Sequence, residues 1–380
     1  MPSSHATTIP REIAAIAASM VDAIAQARSE GLASWQDDRF DELALKVYAA
    51  QRMRVQPYAQ WCDTALDGAE VRGWKQVPAL PIAAFKRLRV AAHEPADDVA
   101  TWHSSTTTGH APSRHVLPST ALYEASLGAA AGAALAPDAG QVPLHAVQLM
   151  PAARDLPDSS LAHMFDEVRT TLCASGDVCA RRADQVDVDA AWRSLRQAAQ
   201  AEVPVLVLAT SFALVHLFEA GDERLELAAG SRVMDTGGYK GRSREYTRAD
   251  LVETIGKRLG IAPGWCDNEY GMSELSSQAY LGTIAASAGH ALAGTDETNL
   301  VRWQPPWFRT RVVDPVTLDE VADGERGLLV HHDLANVYSC AAIRTDDVGV
   351  RRGTSYEFVG RAPGAELRGC SLRLEDVFGE

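Results

Sequence analysis

The middle of the chain contains a continuous apolar run, Pro204-Val205-Leu206-Val207-Leu208-Ala209. A run without polar positions predicts a strand that is buried on both faces of a sheet. We expect a helix over residues 211–220 to follow it, and then a short strand over residues 231–234. This alternation of strand and helix indicates an α/β fold with a largely parallel sheet.

The sequence on either side extends this pattern. An alanine-rich stretch over residues 120–136 predicts a helix, and residues 142–150 predict a strand. Thr247-x-x-Asp250 resembles the capping box of a helix start, and Gly260 suits the residue just past that helix's end. We expect four regions, namely a helical region over 1–75, an α/β core over 76–311, a β-rich subdomain over 312–360, and a hinge and tail over 361–380.

Composition and charge exclude some classes of function. An apolar content of 46% and a charged content of 23% are typical of a globular protein, and 380 residues predict two or more subdomains. A net charge of −14 argues against nucleic acid as a partner and against an anionic membrane surface. No stretch has the length of a transmembrane helix. The apolar residues between Ile13 and Ala25 recur at helical spacing and are interrupted by charges, which favours an amphipathic helix over an export signal.

Cysteine usage indicates a reducing compartment. The six cysteines are scattered and form no CxxC pair, which fits reduced thiols in the cytosol better than disulfides or a zinc site. Cys173 and Cys179 have no nearby histidine or cysteine to complete a set of metal ligands. We therefore expect a cytoplasmic protein.

A loop rich in hydroxyl groups is the first candidate site, Ser104-Ser105-Thr106-Thr107-Thr108-Gly109. Its hydroxyl and backbone N–H groups are donors for a polyphosphate, and Arg114 lies close behind in the sequence. The chain lacks the P-loop motif and has no GxGxxG after a strand. A solvated turn therefore remains an alternative interpretation of this loop.

Two further motifs follow predicted strands of the core. Asp235-Thr236-Gly237-Gly238-Tyr239-Lys240-Gly241 places paired glycines at a strand's carboxyl end, where ligands of open α/β sheets bind. Tyr270-Gly271-Met272-Ser273-Glu274 ends in a carboxylate that could hold Mg²⁺ against the phosphates of ATP. Taken singly, a tight turn and a solvated carboxylate are the ordinary alternatives.

The last third of the chain adds smaller signals. Arg344-Thr345-Asp346-Asp347 places two carboxylates where a ribose diol could be bound. We expect Gly360-Arg361 to open a loop that ends in Arg368-Gly369-Cys370-Ser371-Leu372. A single cysteine near a terminus is unremarkable without further context.

The order of these motifs resembles the adenylate-forming superfamily, and within it the acyl-protein synthetase (LuxE) family. The resemblance covers roughly residues 75 to 375 and is carried by a combination of segments. They are Pro78-Ala79-Leu80-Pro81-Ile82 with Phe85-Lys86, His103 to Gly109 with Ser113-Arg114-His115, Met150-Pro151 with Ser159-Ser160-Leu161, Asp235 to Gly241, Asn268 to Glu274 with Gln278, and Arg368 to Leu372.

The resemblance implies a fold and a two-step reaction. The fold is the large N-terminal domain of adenylate-forming enzymes, with mixed and parallel sheets flanked by helices, followed by a truncated C-terminal segment that lacks the full small domain. A carboxylic acid would be activated by ATP as acyl-AMP, with Mg²⁺ as the metal. The acyl group would then move to a thiol of the synthetase and onward to a partner protein, such as a reductase, a carrier protein or another thiol acceptor.

The resemblance also implies roles for residues. The loop Ser104 to Gly109 would hold the triphosphate, Gly237, Gly238 and Tyr239 would flank the adenine, and Tyr270 with Gly271 would lie near the base. Ser273 would reach the phosphate, Glu274 would bind Mg²⁺, and Asp347 would bind the ribose hydroxyls. Arg361 would lie at the hinge between subdomains, and Cys370 matches the acyl-accepting thiol.

Two departures from the superfamily pattern bear on these expectations. The hydroxyl loop normally has glycine where this chain has Thr106, which makes the loop stiffer. The sequence ends at Glu380, shortly after Cys370, whereas larger superfamily members continue into a domain with a catalytic lysine. Two alternatives therefore stay open: an adenylating ligase that passes the acyl group directly to CoA, a carrier protein or an amine, and a nucleotide-binding scaffold without catalysis.

Overall fold

The computed structural model of the chain describes residues 9–104, 111–182, 185–237, 247–295, 300–362 and 377–378. The chain divides into two compact units. Unit 1 comprises Met1–Ser126, Met272–Ser277 and Gln304–Glu380, and unit 2 comprises Leu127–Gly271 and Gln278–Trp303. Across the described ranges, none of the helices is both long and apolar enough to cross a membrane.

The helices and strands of these ranges are numbered along the chain. The α-helices are α1 (Arg11–Glu30), α2 (Asp37–Arg54), α3 (Gln56–Leu66), α4 (Ala84–Arg87), α5 (Ala121–Leu135), α6 (Ser160–Leu172), α7 (Val188–Gln200), α8 (Ser211–Glu219), α9 (Arg248–Leu259) and α10 (Thr283–Ser287). The strands are β1 (Leu80–Pro81), β2 (Ala100–His103), β3 (Arg114–Leu117), β4 (His145–Gln148), β5 (Ser175–Val178), β6 (Ala180–Arg182), β7 (Gln185–Val186), β8 (Val205–Thr210), β9 (Arg232–Thr236), β10 (Cys266–Tyr270), β11 (Ala279–Tyr280), β12 (Phe308–Val313), β13 (Arg326–Asp333), β14 (Ala342–Arg352) and β15 (Ser355–Arg361).

The first helices of unit 1 are amphipathic. In α1, the side chains of Ile13, Ala17, Met20 and Ile24 are buried, and they recur at the three- and four-residue spacing of one helix face. The amphipathic helix predicted near the start of the sequence is therefore confirmed.

The main sheet of unit 1 has the strand order β1-β14-β13-β12, and β15 also pairs with β14. β1 runs parallel to β14, and the other neighbours are antiparallel. The expectation that Gly360-Arg361 opens a loop is wrong. β15 continues to Arg361 because its backbone still pairs with β14 beyond a register shift at Val348 and Gly349, and Arg361 is opposite Asp347.

A buried loop (residues 334–341) connects β13 to β14. Gln51 of α2 holds this loop. Its Nε2 donates to the carbonyl oxygens of Asn336 (2.8 Å) and Val337 (3.1 Å), and its Oε1 accepts from Ala341 N (2.9 Å). The side-chain amide thus satisfies backbone groups that would otherwise be costly to bury outside a sheet.

Unit 2 is built on a six-stranded sheet in the order β11-β10-β9-β8-β4-β5. Its strands are parallel except β11, which pairs antiparallel with β10. The predicted apolar strand is β8, and residues 205–209 within it are completely buried. The largely parallel sheet with its helices confirms the predicted α/β class.

The predicted start and end of α9 are also confirmed. The Thr247 hydroxyl accepts from Asp250 N (3.1 Å), and the Asp250 carboxylate accepts from Thr247 N (2.9 Å), which is a complete capping box. Gly260 follows the helix with φ of 69°, a left-handed conformation that favours glycine.

Candidate active site

Glu274 is the buried carboxyl of the candidate site in unit 1. Its side chain is almost inaccessible, and burial raises its pKa above the usual range. The Ser113 hydroxyl and the charge of Arg361 oppose this shift, whereas the nearby carboxylate of Asp347 adds to it. Glu274 therefore lies in a small group of polar side chains that interact electrostatically.

Asp347 and Arg361 form an ion pair across β14 and β15. Arg361 Nε lies 3.4 Å from Asp347 Oδ1. The Asp347 side chain is 8% exposed and that of Arg361 is 75% exposed. The structure thus brings together three predicted site residues of unit 1, namely Glu274, Asp347 and Arg361.

The two described serines of the predicted phosphate site make local hydrogen bonds. The Ser104 hydroxyl accepts from Ser113 N (3.0 Å) and so closes the end of the β2–β3 hairpin. The Ser273 hydroxyl donates to His103 O (3.2 Å). A phosphate oxygen accepts hydrogen bonds, so a phosphate contact would require the single hydroxyl proton of Ser273 to turn away from His103 O.

In unit 2, three predicted residues lie at the carboxyl ends of neighbouring parallel strands. Gly237 follows β9 with φ of 75°, which favours glycine at this position. Tyr270 is the buried last residue of β10, and Gly271 comes directly after it. This is the sheet edge where ligands of open α/β folds bind.

Glu269 is a buried carboxyl that sequence reasoning missed. Burial raises its pKa to about 7, while the hydrogen bond donated by the Thr236 hydroxyl and the charge of Arg302 oppose the shift and Asp235 adds to it. Gly271 is needed beside it, because a Cβ at that position would collide with Glu269 Oε1. The position of Glu269 inside the Asn268–Glu274 motif, in a strand that is otherwise mostly buried, is the signal that could have found it.

Asp235, the first residue of the glycine motif, lies within β9, and its carboxylate makes structural contacts. Arg248 Nη1 lies 2.6 Å from its Oδ1, and Oδ2 accepts from Ser211 Oγ (2.7 Å) and Asn268 Nδ2 (2.9 Å). Both carboxylate oxygens are therefore in use, and Asp235 anchors the ends of β9 and β10 to α8 and α9.

A magnesium ion fits Glu274 as one carboxylate among other ligands. Within the ranges that the structure describes, no three or more His, Cys, Asp or Glu side chains are grouped so that they could hold a metal by themselves. Mg²⁺ usually keeps several waters and binds one or two carboxylates together with the phosphates of a substrate. The buried carboxyl of Glu274 provides such a single ligand.

Several predicted site residues lie outside the described residues. They are Ser105, Thr106, Thr107, Thr108 and Gly109 of the hydroxyl loop, Gly238 and Tyr239 of the glycine motif, and Cys370. Their roles stay predictions.

Comparison with known families gives a match over nearly the whole sequence. The family model described as "Acyl-protein synthetase, LuxE" matches residues 11–379. This match agrees with the resemblance inferred from the motifs.

Individual relatives match shorter stretches. The long-chain-fatty-acid–luciferin-component ligase of Aliivibrio fischeri is 38% identical over 82 residues, which are 19% of this chain and 22% of the relative. The protein of the same description from Vibrio harveyi is 35% identical over 82 residues, or 20% of this chain and 21% of the relative. The matched segment thus spans about a fifth of each relative.

Solved structures share the fold. 2-Hydroxyisobutyryl-CoA ligase, in an open conformation with 2-HIB-AMP and CoA, has a TM-score of 0.58 at 13% identity. The alignment covers 86% of this chain and 74% of that protein. The likeness confirms the predicted adenylate-forming fold.

Proposed function

The chain belongs to the acyl-protein synthetase (LuxE) family, and from this membership we propose that it activates a carboxylic acid with ATP and transfers the acyl group to a thiol. A carboxylate oxygen of the acid attacks the α-phosphorus of ATP, and pyrophosphate leaves with the electrons of the broken P–O bond. A thiolate then attacks the acyl carbon of the acyl-AMP, a thioester forms, and AMP leaves.

The burial of the Glu274 carboxyl is the observation that supports this proposal best. A buried carboxylate is unfavourable unless a positive charge compensates it. The exposed Arg361 provides only part of that compensation for Glu274. Mg²⁺ bound there would neutralise negative charge on the departing pyrophosphate. Glu274 would hold that ion, and the nearby Asp347 carboxylate would accept hydrogen bonds from the ribose hydroxyls.

The described cysteines are poor candidates for the acyl acceptor, and this supports Cys370 in that role. Cys62, Cys173, Cys179, Cys266 and Cys340 are buried or partly buried, and burial raises the pKa of each thiol. A thiol with a raised pKa contributes little thiolate at neutral pH and is a poor nucleophile. Cys370 is the remaining cysteine of the sequence, and it matches the family's acyl-accepting position.

The family membership supports a proposal for the substrate and the partner. We propose that the acid is an acyl chain, such as the long-chain fatty acids in the descriptions of the two curated relatives. The acceptor of the acyl group would be a second protein, such as a reductase, a carrier protein or another protein with an acyl-accepting thiol, and the thiol of the synthetase would leave.

An exchange assay tests the first half reaction. The protein is incubated with ATP, Mg²⁺, labelled pyrophosphate and a panel of acids that runs from short to long-chain and aromatic. We expect acid-dependent formation of labelled ATP and release of AMP. Production of ADP would contradict adenylation, because ATP would then be cleaved at the γ-phosphate. No exchange with any acid would favour the scaffold alternative.

A labelling experiment tests the second half reaction. Radiolabelled acid and ATP are mixed with the protein, which is then denatured and resolved on a gel with and without hydroxylamine. A label on the protein that hydroxylamine removes supports self-acylation on a thiol. Label that appears only on added CoA, carrier protein or amine would favour direct transfer instead.

A further inference from the structure

Glu274 lies in a short segment, residues 273–277, whose backbone is held from one side by Asp333. This aspartate is the last residue of β13 and is completely buried. Its Oδ2 accepts from Ser276 N (2.7 Å) and Ser277 N (2.8 Å), and its Oδ1 accepts from the Ser277 hydroxyl (2.6 Å) and Ala335 N (3.1 Å). A single carboxylate therefore fixes two consecutive peptide N–H groups that follow Glu274.

Asn336 and His115 hold the other side of the same segment. Asn336 Nδ2 donates to the Glu274 carbonyl oxygen (2.8 Å), and Nδ1 of His115 lies 2.8 Å from the Ser273 carbonyl oxygen. Asp333 and Asn336 thus hydrogen-bond three of the segment's backbone groups, and His115 lies against a fourth, Ser273 O. We call Asp333, Asn336 and His115 the backbone clamp.

The members of the backbone clamp are also held in place. Asn336 Nδ2 donates to a second carbonyl, that of Cys340 (2.9 Å), which leaves Oδ1 to face His115 Nε2 at 3.0 Å. The amide orientation follows, because reversing it would place an oxygen against two carbonyl oxygens. Burial lowers the pKa of His115 to about 4, so the neutral imidazole donates either to Asn336 Oδ1 or to Ser273 O, and not to both. Gln51 holds the backbone of Asn336, so the side chain cannot move without moving the buried loop.

Burying three polar side chains costs more free energy than holding the same segment by apolar packing. All three clamp side chains are completely buried, and a buried polar group is costly unless its hydrogen bonds are made. Here the hydrogen bonds converge on the few peptide groups around one carboxylate. Such a network sets a backbone position more narrowly than apolar contacts do, as a binding residue requires.

We propose that Asp333, Asn336 and His115 are positioning residues that hold the Glu274 carboxylate where it binds the metal ion of Mg·ATP. This inference rests on the proposed function. The clamp residues contact neither metal nor nucleotide themselves and act through the backbone of residues 273–277.

The test measures binding of ATP by titration calorimetry, once with Mg²⁺ and once with EDTA. Wild-type protein should bind ATP more tightly with Mg²⁺ than with EDTA, and we call the ratio of these two affinities the Mg²⁺ enhancement. Asn336→Ala should reduce the enhancement about tenfold, on the scale of one buried hydrogen bond. Affinity in EDTA should stay unchanged. The matched control is Ser339→Ala, which removes a buried hydrogen bond of 2.9 Å to Val90 O from the same loop but does not touch residues 273–277. It should lower the unfolding temperature and keep the full enhancement.

A second variant keeps the test decisive if Asn336→Ala does not fold. Asp333→Asn is isosteric, retains one acceptor oxygen, and should reduce the Mg²⁺ enhancement in the same direction. Wild-type enhancement in folded clamp variants, with loss in Glu274→Gln, would overturn the clamp and leave the proposed function standing. Absence of any enhancement in the wild-type protein would overturn the metal role of Glu274 and the clamp together.

Discussion

Asp347 and Arg361 are paired across two antiparallel strands, yet the carboxylate is buried and the guanidinium is largely in solvent. An ion pair with one exposed partner contributes little to stability. Departure of the exposed Arg361 would leave the buried Asp347 carboxylate without this positive charge, so another donor would have to replace it. This asymmetry suits a residue that exchanges an arginine partner for the hydroxyl groups of a ligand.

Asp347 should act through nucleotide affinity. A carboxylate that accepts from both ribose hydroxyls makes charge-assisted hydrogen bonds, each of about 1.5–3 kcal/mol. We expect Asp347→Ala to raise the KM for ATP at least about tenfold in the exchange assay. Asp346→Ala removes the neighbouring carboxylate, which points to the other face of the strand, and should raise that KM less. A change confined to the KM for the acid would contradict the ribose role.

Glu274 should be required for adenylation. Removing its charge removes a ligand of the metal that stabilises the leaving pyrophosphate, so Glu274→Gln should lower exchange at least about tenfold. Glu253→Gln, at an exposed position of α9, serves as the control for loss of a carboxylate and should exchange at the wild-type rate. Undiminished exchange by a folded Glu274→Gln protein would rule out the metal assignment.

Cys370 should separate the two half reactions. Cys370→Ser should keep pyrophosphate exchange and lose the hydroxylamine-sensitive label from radioactive acid, because a serine ester resists hydroxylamine more than a thioester. Cys173→Ser, which changes a partly buried cysteine, should keep both activities. A hydroxylamine-sensitive label that persists in Cys370→Ser would exclude this cysteine as the acceptor.

Glu269 should make stability depend on pH. Its folded-state pKa of about 7 is above the ordinary value of 4.5, so between these values the folded chain holds a proton that the unfolded chain has released. Its stabilising contribution is complete below pH 4.5 and is lost as the pH rises through 7. Glu269→Gln should therefore gain stability relative to wild type between pH 5 and pH 8, by up to about 3 kcal/mol.

Urea unfolding at a series of pH values measures this difference. Subtracting the wild-type curve from the Glu269→Gln curve removes the contributions of other groups, including Asp333, whose pKa burial raises to about 6. A difference that is flat across this pH range would show that Glu269 is ionised in both states.

Local sequence patterns predicted local structure well. The apolar run of β8 and the capping box of α9 depend on neighbouring residues, and both were found as predicted. The family resemblance implied roles for Glu274, Asp347 and Arg361 at a nucleotide site, and those roles stay predictions. It did not indicate that Arg361 ends a strand.

The backbone clamp could not be predicted in the same way. Asn336 and Asp333 lie in a mostly apolar stretch, and a polar residue there indicates a buried hydrogen bond without naming its partner. The partner of Asn336 Oδ1 is His115, 221 positions away, and that of its Nδ2 is Glu274, 62 positions away. Contacts between residues this far apart in the sequence depend on the tertiary fold, which the spacing of apolar residues does not predict.

The contact of Gln51 with the loop that follows β13 has a consequence for how the protein folds during its synthesis on the ribosome. Gln51 binds backbone groups that are made 285 to 290 residues later in synthesis. The side-chain amide of Gln51 therefore cannot make these hydrogen bonds until nearly the whole chain has been translated. The almost contiguous unit 2 can fold before then. Closing such distant contacts is slow, so a nascent chain released early should leave the Glu274 site unformed and the apolar faces of its N-terminal helices exposed to chaperones.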